Sequence, residues 1–440
     1  MKKIIASTGL AALGAASLQG AYAPDLTSVQ TAKPWSISAA VRGFYDDNYA
    51  TRPSTLAPGT IPAGADARLY EKRGSWGMDL NPTASLNLPL EQTYIGLNYS
   101  YHMMYFQDRA DLHEASADHV HQATATLSHQ FSPHYSLDAS DSFAVAQEPE
   151  LLVPGYAPLP IFTRVNGNNI MNDAKAHFRG DLTDRLGAEL SYDNTINIWD
   201  DHGYANSTAS LLDIMNHMAT ADLRWTWLPT TVALLGYQFQ YTDYTSSDPL
   251  TSPGGVNFAA NVRNAQSHYA FVGVDQTFTT KLSASVRVGA EYTTYPNAPA
   301  GSVGNTTSPY ADANLTYTYN PGSYVKVGVT HQRNPTYLGF IGTNIPLMDS
   351  EATAVYAMVN HKITGKLSGN ILGSYQNSNY HVPGAADMQD NFFNANVGLT
   401  YQINQFLAAE TSYNYYRLDS DLPYTSYTRN LVFFGLRATY

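Results

Sequence analysis

Residues 431–440 read LVFFGLRATY, and apolar residues occupy every second position of this stretch. Val432, Phe434, Leu436 and Tyr440 fall on one face of an extended strand, because successive side chains of a strand point to opposite faces. The last residues of a soluble domain usually fray unless another element holds them. The pattern therefore predicts a strand that is paired along its length and presents one apolar face.

The other end of the chain has the layout of a secretory leader. Lys2 and Lys3 precede an apolar stretch that ends in small residues at Ala23, so we expect residues 1–23 to be a signal peptide. The chain has no cysteine, and an exported fold must then be stabilised without disulfides. Its formal net charge is −12, an acidic balance that argues against nucleic acid as a partner.

Strict alternation of apolar and polar residues recurs along the rest of the chain. Three examples are DAKAHFRGDL (173–182), KLSASVRVGAEY (281–292) and FFNANVGLTYQI (392–403), which are ten to twelve residues long. Strands of soluble proteins average about five or six residues. A tilted strand that crosses a bilayer needs roughly nine to eleven, so the lengths favour membrane-spanning strands.

Short turns alternate with long polar loops between these strands. Eight short turns join sixteen strands, and one strand at each end brings the predicted count to eighteen, with sixteen as the alternative. The first strand is predicted at residues 35–46, and it should pair with residues 431–440 to close a barrel, which has no free edge. The predicted short turns are 88–93, 131–136, 182–186, 228–231, 278–282, 319–324, 363–367 and 403–406.

An apolar face on every strand fits either a soluble β-sandwich or a membrane barrel. Aromatic residues gather near strand ends, for example at Trp225, Trp227, Tyr317 and Tyr319, as in the interfacial girdles of membrane barrels. We therefore predict an all-β, transmembrane, antiparallel up-and-down β-barrel with short periplasmic turns and longer external loops. The predicted organisation is a signal peptide (1–23), a short periplasmic segment (24–34) and an outer-membrane barrel (35–440).

Two stretches resemble a known family. They are VRGFYDDNYATRPS (41–54) and SWGMDLNPTASLNLPLEQTYIGLNYSY (75–101), in which a strand with a central proline, Pro82, runs into a short turn and a tyrosine-rich strand. This arrangement resembles the β-barrel porin family related to exopolysaccharide-operon outer-membrane proteins. The resemblance implies a bacterial outer-membrane barrel and hints at polysaccharide-export components as partners. It implies no particular substrate.

A barrel of this size can hold an aqueous channel, and charged residues on its inner face set selectivity. We expect a porin-like channel of a Gram-negative outer membrane for diffusion or export of small hydrophilic solutes or saccharides, with a mild cation preference and no cofactor. Membrane lipids, lipopolysaccharide and the barrel-assembly machinery are the expected partners, and the apolar face of residues 431–440 is the expected assembly signal. The predicted pore-lining residues are Arg42, Asp79, Asp173, Lys175, Arg179, Asp181, Glu189, Asp193, Asp222, Arg224, Arg287, Glu291, Lys326, Glu410 and Arg437.

An outer-membrane enzyme is one alternative, and it would need a nucleophile with a base, or paired carboxylates, at the outer rim. His119 and His121 lie on one strand face, a spacing that a metal pair can have. They share that face with apolar residues, which favours interfacial histidines, and we expect no enzymatic activity. The polar residues near the rim are His102, Asp118, His119, His121, Asp200, Asp201 and His202.

A structural or adhesive barrel that conducts nothing is the other alternative. Its loops would be long and aromatic, whereas most loops here span ten to twenty residues. Residues 151–162, LLVPGYAPLPIF, are unusually apolar for an external loop. They predict a segment that folds into the lumen as a constriction or binds a partner.

Overall fold

The computed structural model describes residues 34–56, 58–59, 70–110, 115–147, 164 and 168–440. The predicted leader and all of the segment 24–34 except Pro34 lie outside the described residues. Twenty strands occur in the described part: β1 (Trp35–Asp46), β2 (Ser75–Pro89), β3 (Thr93–Phe106), β4 (Ala117–Ser132), β5 (Tyr135–Ala146), β6 (Asn169–Asp181), β7 (Leu186–Ile198), β8 (Ile214–Leu228), β9 (Thr231–Tyr244), β10 (Pro249–Thr251), β11 (Asn257–Ala259), β12 (Ala265–Thr277), β13 (Leu282–Thr294), β14 (Thr306–Asn320), β15 (Ser323–Asn334), β16 (Ser350–Lys362), β17 (Leu367–Tyr380), β18 (Met388–Gln402), β19 (Leu407–Ser420) and β20 (Tyr427–Thr439).

Eighteen of these strands form one closed antiparallel barrel. Each barrel strand pairs with the next barrel strand along the chain, so that β9 pairs with β12, and β20 pairs with β1 from Ser38↔Thr439 to Asp46↔Leu431. The prediction of eighteen strands closed by the first and last is therefore confirmed, and the alternative of sixteen is wrong. The last strand begins at Tyr427, four residues before the predicted start.

All eight predicted short turns are present, and all lie at the same end of the barrel. The other end carries the longer connections, so we call it the loop end. In several of the short turns a threonine or asparagine side chain accepts hydrogen bonds from backbone N–H groups, as Asn404 does from Phe406 and Leu407. One loop contains the two-stranded ribbon of β10 and β11, which the sequence did not predict.

Helices are short in the described residues. They are α1 (Gln107–Ala110), α2 (Thr208–Leu212) and a 3-10 helix (Ala260–Arg263), all at the loop end. No helix in the described part of the chain has the length and apolarity that crossing a bilayer requires.

The outer surface of the barrel is largely apolar. Val286 and Val397 are 41% and 42% exposed there, whereas Asn396, which neighbours Val397 and points inward, is 0% exposed. On β20 the outward side chains include Val432, Phe434 and Leu436, and beyond them the ring of Tyr440 lies 5.9 Å from that of Trp35. An exterior of this kind is the surface that a transmembrane barrel presents to lipid.

Pro82 interrupts one pair of strands. It has no N–H group to donate, and the ladder between β2 and β3 is missing between Leu80↔Met103 and Thr83↔Ser100. The amide of Asn81 donates to the carbonyl of Tyr101 at 3.3 Å and satisfies a group that the ladder leaves free. On its other side β2 keeps an uninterrupted register with β1.

Candidate functional site

The strand register places all fifteen predicted pore-lining residues on the inward face of the barrel. They alternate with outward residues such as Leu223, Val286 and Val288, which are 41–49% exposed. Their facing therefore agrees with the prediction, while their role in conduction stays a prediction. Their surroundings divide them into a buried group at the barrel seam and a more accessible group on the wall from β6 to β15.

Four of the fifteen form a buried network where the barrel closes. Arg42 binds Asp79 at 2.5 Å and Glu410 at 3.3 Å, and Arg437 binds the other oxygen of Glu410 at 3.1 Å. His102 completes the network, with Nε2 2.7 Å from Asp79. These contacts link β1, β2, β3, β19 and β20. Buried charges need such partners, so this group serves the closure of the barrel more than an open lumen.

A second buried ion pair at the loop end of the seam was missed by the sequence analysis. Arg429 on β20 donates to both oxygens of Asp46 on β1, at 2.9 Å and 2.6 Å to Oδ2 and 3.1 Å to Oδ1. Both side chains are at most 2% exposed. The alternation in β20 already put Arg429 on the polar face, but the pairing with β1 was needed to give it a partner.

A chain of charges runs along the more accessible wall. Arg224 binds Glu189 at 3.0 Å and Asp275 at 3.2 Å, and the latter contact reaches over β9 to β12. His177 lies 3.7 Å from Glu189, and Arg287 lies 3.8 Å from Asp275. Acidic and basic groups therefore alternate across β6, β7, β8, β12 and β13 on the inner wall.

The remaining predicted residues lie near this chain, with one exception. Lys175 binds Asp173 at 2.7 Å, and Arg179 lies 3.6 Å from Asp181. Asp193 is the cross-strand partner of Lys175, Asp222 is that of Glu189, and Lys326 lies on β15. The exception is Glu291, which is 0% exposed and accepts hydrogen bonds from Tyr269, Thr293 and the backbone N–H of Arg333.

On the wall from β5 to β14 three further inward acids were missed: Asp138, Asp275 and Asp312. Each lies on the polar face of its strand, opposite Ser128, Ser285 and Arg287 respectively. The alternation used for the other strands would have found them, since Asp312 alternates with the apolar residues of β14. They make the inner wall more acidic than predicted.

A loop between β15 and β16, residues 335–349, crosses the loop end of the barrel. Tyr337 packs against two apolar clusters. The clusters lie on two sides of the barrel, with strands β12 to β16 between them. One cluster belongs to the strands near the seam and the other to the loops after β7 and β9. The cluster residues are Leu372, Phe392, Tyr416, Leu418 and Tyr427, and Trp199, Ala209, Leu212, Ile214, Tyr244 and Ala260.

Arg263 fixes this loop to its neighbour. The side chain is fully buried, and its guanidinium donates to the carbonyl of Leu211 at 3.2 Å and to that of Thr336 at 2.6 Å. It also lies 4.6 Å from the centroid of the Tyr244 ring. Burial lowers the pKa of Arg263. An arginine suits this place, because its planar fork serves two carbonyls at once.

Hydrogen bonds to carboxylates hold the rest of the loop layer. Burial raises the pKa of Tyr337 well above its usual value, and Asp390, which accepts a hydrogen bond from the Tyr337 hydroxyl, adds to the shift. Burial raises the pKa of Asp213 to about 6, although the backbone N–H of Trp199 donates to this carboxylate. Burial opposes ionisation of Asp201, but hydrogen bonds from Thr208 and Tyr204 prevail and lower its pKa.

The predicted constriction, residues 151–162, lies outside the described residues. Arg164, which follows it, binds both oxygens of the inward Asp118 at 2.6 and 2.7 Å, and Arg109 binds the same carboxylate at 2.6 Å. The described loop that crosses the lumen is 335–349. Its apolar stretch LGFIGTNIPL (338–347) carries the same signal that singled out 151–162, so the sequence could have identified it.

His119 and His121, which were considered as a metal pair, point outward, whereas His102 points inward to Asp79. The hydroxyl of Tyr101 lies 2.7 Å from His119 Nδ1, and that of Tyr99 lies 2.9 Å from His121 Nδ1. Tyr192 and His217 form a similar outward pair at 2.7 Å. The described residues include no group of three or more histidine, cysteine or acidic side chains arranged to hold a metal ion. Asp200 and His202 lie in the loop before α2.

Residues 253–440 match the family model described as "Putative beta-barrel porin 2", a segment that is less than half of the chain. No curated protein matches the sequence. The fold is similar to that of three crystal structures, each with 11% sequence identity.

The first of the three structures is outer membrane protein opdK from Pseudomonas aeruginosa, with a TM-score of 0.45 and coverage of 92% of this chain and 99% of that one. The second is a BenF-like porin from Pseudomonas fluorescens, with a TM-score of 0.45 and coverage of 93% and 99%. The third is OccAB3 from Acinetobacter baumannii, with a TM-score of 0.43 and coverage of 92% and 99%. The match of residues 253–440 supports a porin-like β-barrel family for this chain.

Proposed function

We propose that the protein is a channel of a Gram-negative outer membrane through which small hydrophilic solutes or saccharides diffuse or are exported. The observation that carries the proposal is the inner wall, where the charges around Glu189, Arg224 and Asp275 line a barrel whose exterior is apolar. Eighteen strands are enough to leave an aqueous lumen.

The loop layer makes this a selective channel rather than a wide one. Residues 335–349 link clusters from two sides of the ring, and Arg263 and Tyr337 hold them by buried hydrogen bonds. A loop fixed in this way narrows the mouth, so solutes pass beside it along the accessible wall. A barrel closed by its loops is the competing function, because the same clusters would also suit a non-conducting scaffold.

Lipid contact and assembly follow from the outer surface. Outer-membrane lipids and lipopolysaccharide would contact the apolar exterior, and the barrel-assembly machinery would read the outward residues of β20, including Phe434 and Leu436. Polysaccharide-export components are proposed as partners only on the resemblance of residues 41–54 and 75–101. At the rim Asp118 binds two arginines, and His119 and His121 each contact a tyrosine. We propose no enzymatic role for the polar residues there.

Proteoliposome swelling tests the proposed function. A closed barrel resists unfolding until it is boiled, because all of its backbone hydrogen bonds are internal. Purified protein that migrates differently on a gel before and after boiling is therefore a folded barrel. Liposomes that contain it should swell in arabinose and more slowly in stachyose, and liposomes with boiled protein should not swell. Heat-modifiable protein that admits neither sugar would contradict the channel and favour the scaffold.

A further inference from the structure

A row of aromatic side chains descends the inner wall from β12 to β16. The ring of Tyr310 lies 5.5 Å from that of Phe271 near the loop end. Tyr356 lies about halfway down β16, and Tyr324 is the second residue of β15, at the end with the short turns. The register places all four on the inward face, and Tyr310, Tyr356 and Tyr324 are partly exposed there.

Tyr356 lies flat against the wall. A Cβ atom at Gly328, its cross-strand partner, would come within 2.5 Å of three atoms of the phenol, so the ring covers the backbone of β15 at that position. One face of the ring is therefore against the wall, and the other faces the lumen. Only glycine at position 328 allows this placement.

Polar groups alternate with the rings. The ammonium group of Lys326 lies 5.8 Å from the centroid of the Tyr356 ring, one row nearer the short turns. Asp312 lies one row nearer the loop end, between Tyr310 and the level of Tyr356. Within the described ranges no carboxylate approaches the Lys326 ammonium within 4.0 Å. Lys326 therefore offers a hydrogen-bond donor at the ring, and Asp312, two strands away on β14, offers an acceptor on the same inner wall.

We infer that this row is a saccharide-binding track, with Tyr356 as its central stacking platform. The weakly positive C–H groups on one face of a pyranose ring suit the negative face of an aromatic ring. The hydroxyl groups of the sugar can donate hydrogen bonds to Asp312 and accept them from Lys326. The inference rests on the proposed function and names short oligosaccharides as the solute class.

Single-channel recording in planar bilayers tests this inference, with maltohexaose and cellohexaose as probes. Each sugar should interrupt the current in a concentration-dependent way, and polyethylene glycol of similar size should not. Tyr356→Ala should weaken the interruption about tenfold, the equivalent of about 1.4 kcal/mol. Tyr356→Phe, which keeps the stacking face, should retain it. Gly328→Ala should weaken it with the tyrosine intact, because the new methyl group displaces the ring.

The control is Tyr317→Ala, which removes an outward ring that is 45% exposed and should leave sugar binding unchanged. Variants are compared only when they remain heat-modifiable. Currents that neither sugar interrupts, or interruptions that Tyr356→Ala leaves intact, would overturn the inference and leave the channel standing. Absence of any current would contradict the proposed function. Saturation-transfer NMR of maltohexaose with the detergent-solubilised protein would then test the saccharide-binding track by itself. Lack of saturation transfer would overturn the track.

Discussion

The hydroxyl group of Tyr337 donates a hydrogen bond to Oδ2 of Asp390 at 2.6 Å. Tyr337 belongs to the loop between β15 and β16, whereas Asp390 lies on the inner face of β18 and is 1% exposed. Tyr380 donates to the same oxygen at 2.7 Å. The contact therefore ties the loop that crosses the mouth to the barrel wall through a buried carboxylate.

Replacing Tyr337 with phenylalanine should loosen this loop. A hydrogen bond to a charged group contributes about 1.5–3 kcal/mol, and in the described part of the chain Asp390 would keep its bond from Tyr380 alone. We expect a higher mean conductance and more current noise in planar bilayers. Tyr424→Phe, at a loop tyrosine that is 47% exposed, is the matched control. Identical conductance in wild type and Tyr337→Phe would show that the loop does not limit the pathway.

Arg263→Lys should release the same loop from its other anchor. Lysine keeps the charge but lacks the planar fork that reaches the carbonyls of Leu211 and Thr336. Hydrogen exchange of residues 199–213 and 335–349 should speed up, with a loss of about 1–3 kcal/mol in opening free energy. Arg185→Lys, in an exposed short turn, should change nothing. Unchanged hydrogen exchange in Arg263→Lys would show that Arg263 does not anchor the loop.

The barrel could be predicted from sequence because its signals are local. Alternation within each strand and turn residues between strands gave the eighteen strands, the eight turns and the pairing of β1 with β20. The loop layer could not be predicted, because Arg263 and Thr336 are far apart in the chain and meet only in the folded barrel. Glu291 shows the same limit: its inward face was evident, but its burial depends on Tyr269 and Arg333.

The two faces of one strand provide a matched test of orientation. Val286 on β13 points outward, is 41% exposed and has the apolar Val274 and Ala313 as cross-strand partners, whereas the adjacent Ser285 points inward. Val286→Arg should destabilise the barrel by roughly 2–4 kcal/mol, because a charge on the lipid face near the bilayer centre is expensive. Ser285→Arg should be tolerated. Urea unfolding in lipid vesicles measures both, and the opposite ranking would mean that the apolar face is a soluble core.

The loop after β7 should lose stability as the pH rises. Burial raises the pKa of Asp213 from 3.8 to about 6 in the folded protein, and the nearby Asp248 adds to the shift while His202 opposes it. The folded loop then binds a proton at Asp213 more tightly than the unfolded loop, so the contribution of Asp213 to stability is fully present below about pH 4 and is lost as the pH rises through 6.

Hydrogen-exchange protection of residues 199–213, corrected for intrinsic rates, measures this dependence. Asp213→Asn cannot ionise but keeps a side-chain oxygen for the N–H of Trp199. It should flatten the profile between pH 4 and 7 and increase protection at pH 7. A profile with the same slope in both proteins would assign the pH dependence to another group.

Ion selectivity in planar bilayers tests the central claim, that the inner wall lines a conducting channel, most directly. Wild-type protein should give discrete currents with a mild cation preference that fades in 1 M salt, where the Debye length is about 3 Å. Asp173→Asn and Asp181→Asn, on the inner wall, should shift the reversal potential towards anions, whereas Asp184→Asn, in an exposed short turn, should not. Heat-modifiable protein that never conducts, or that conducts with equal shifts from all three substitutions, would contradict the account.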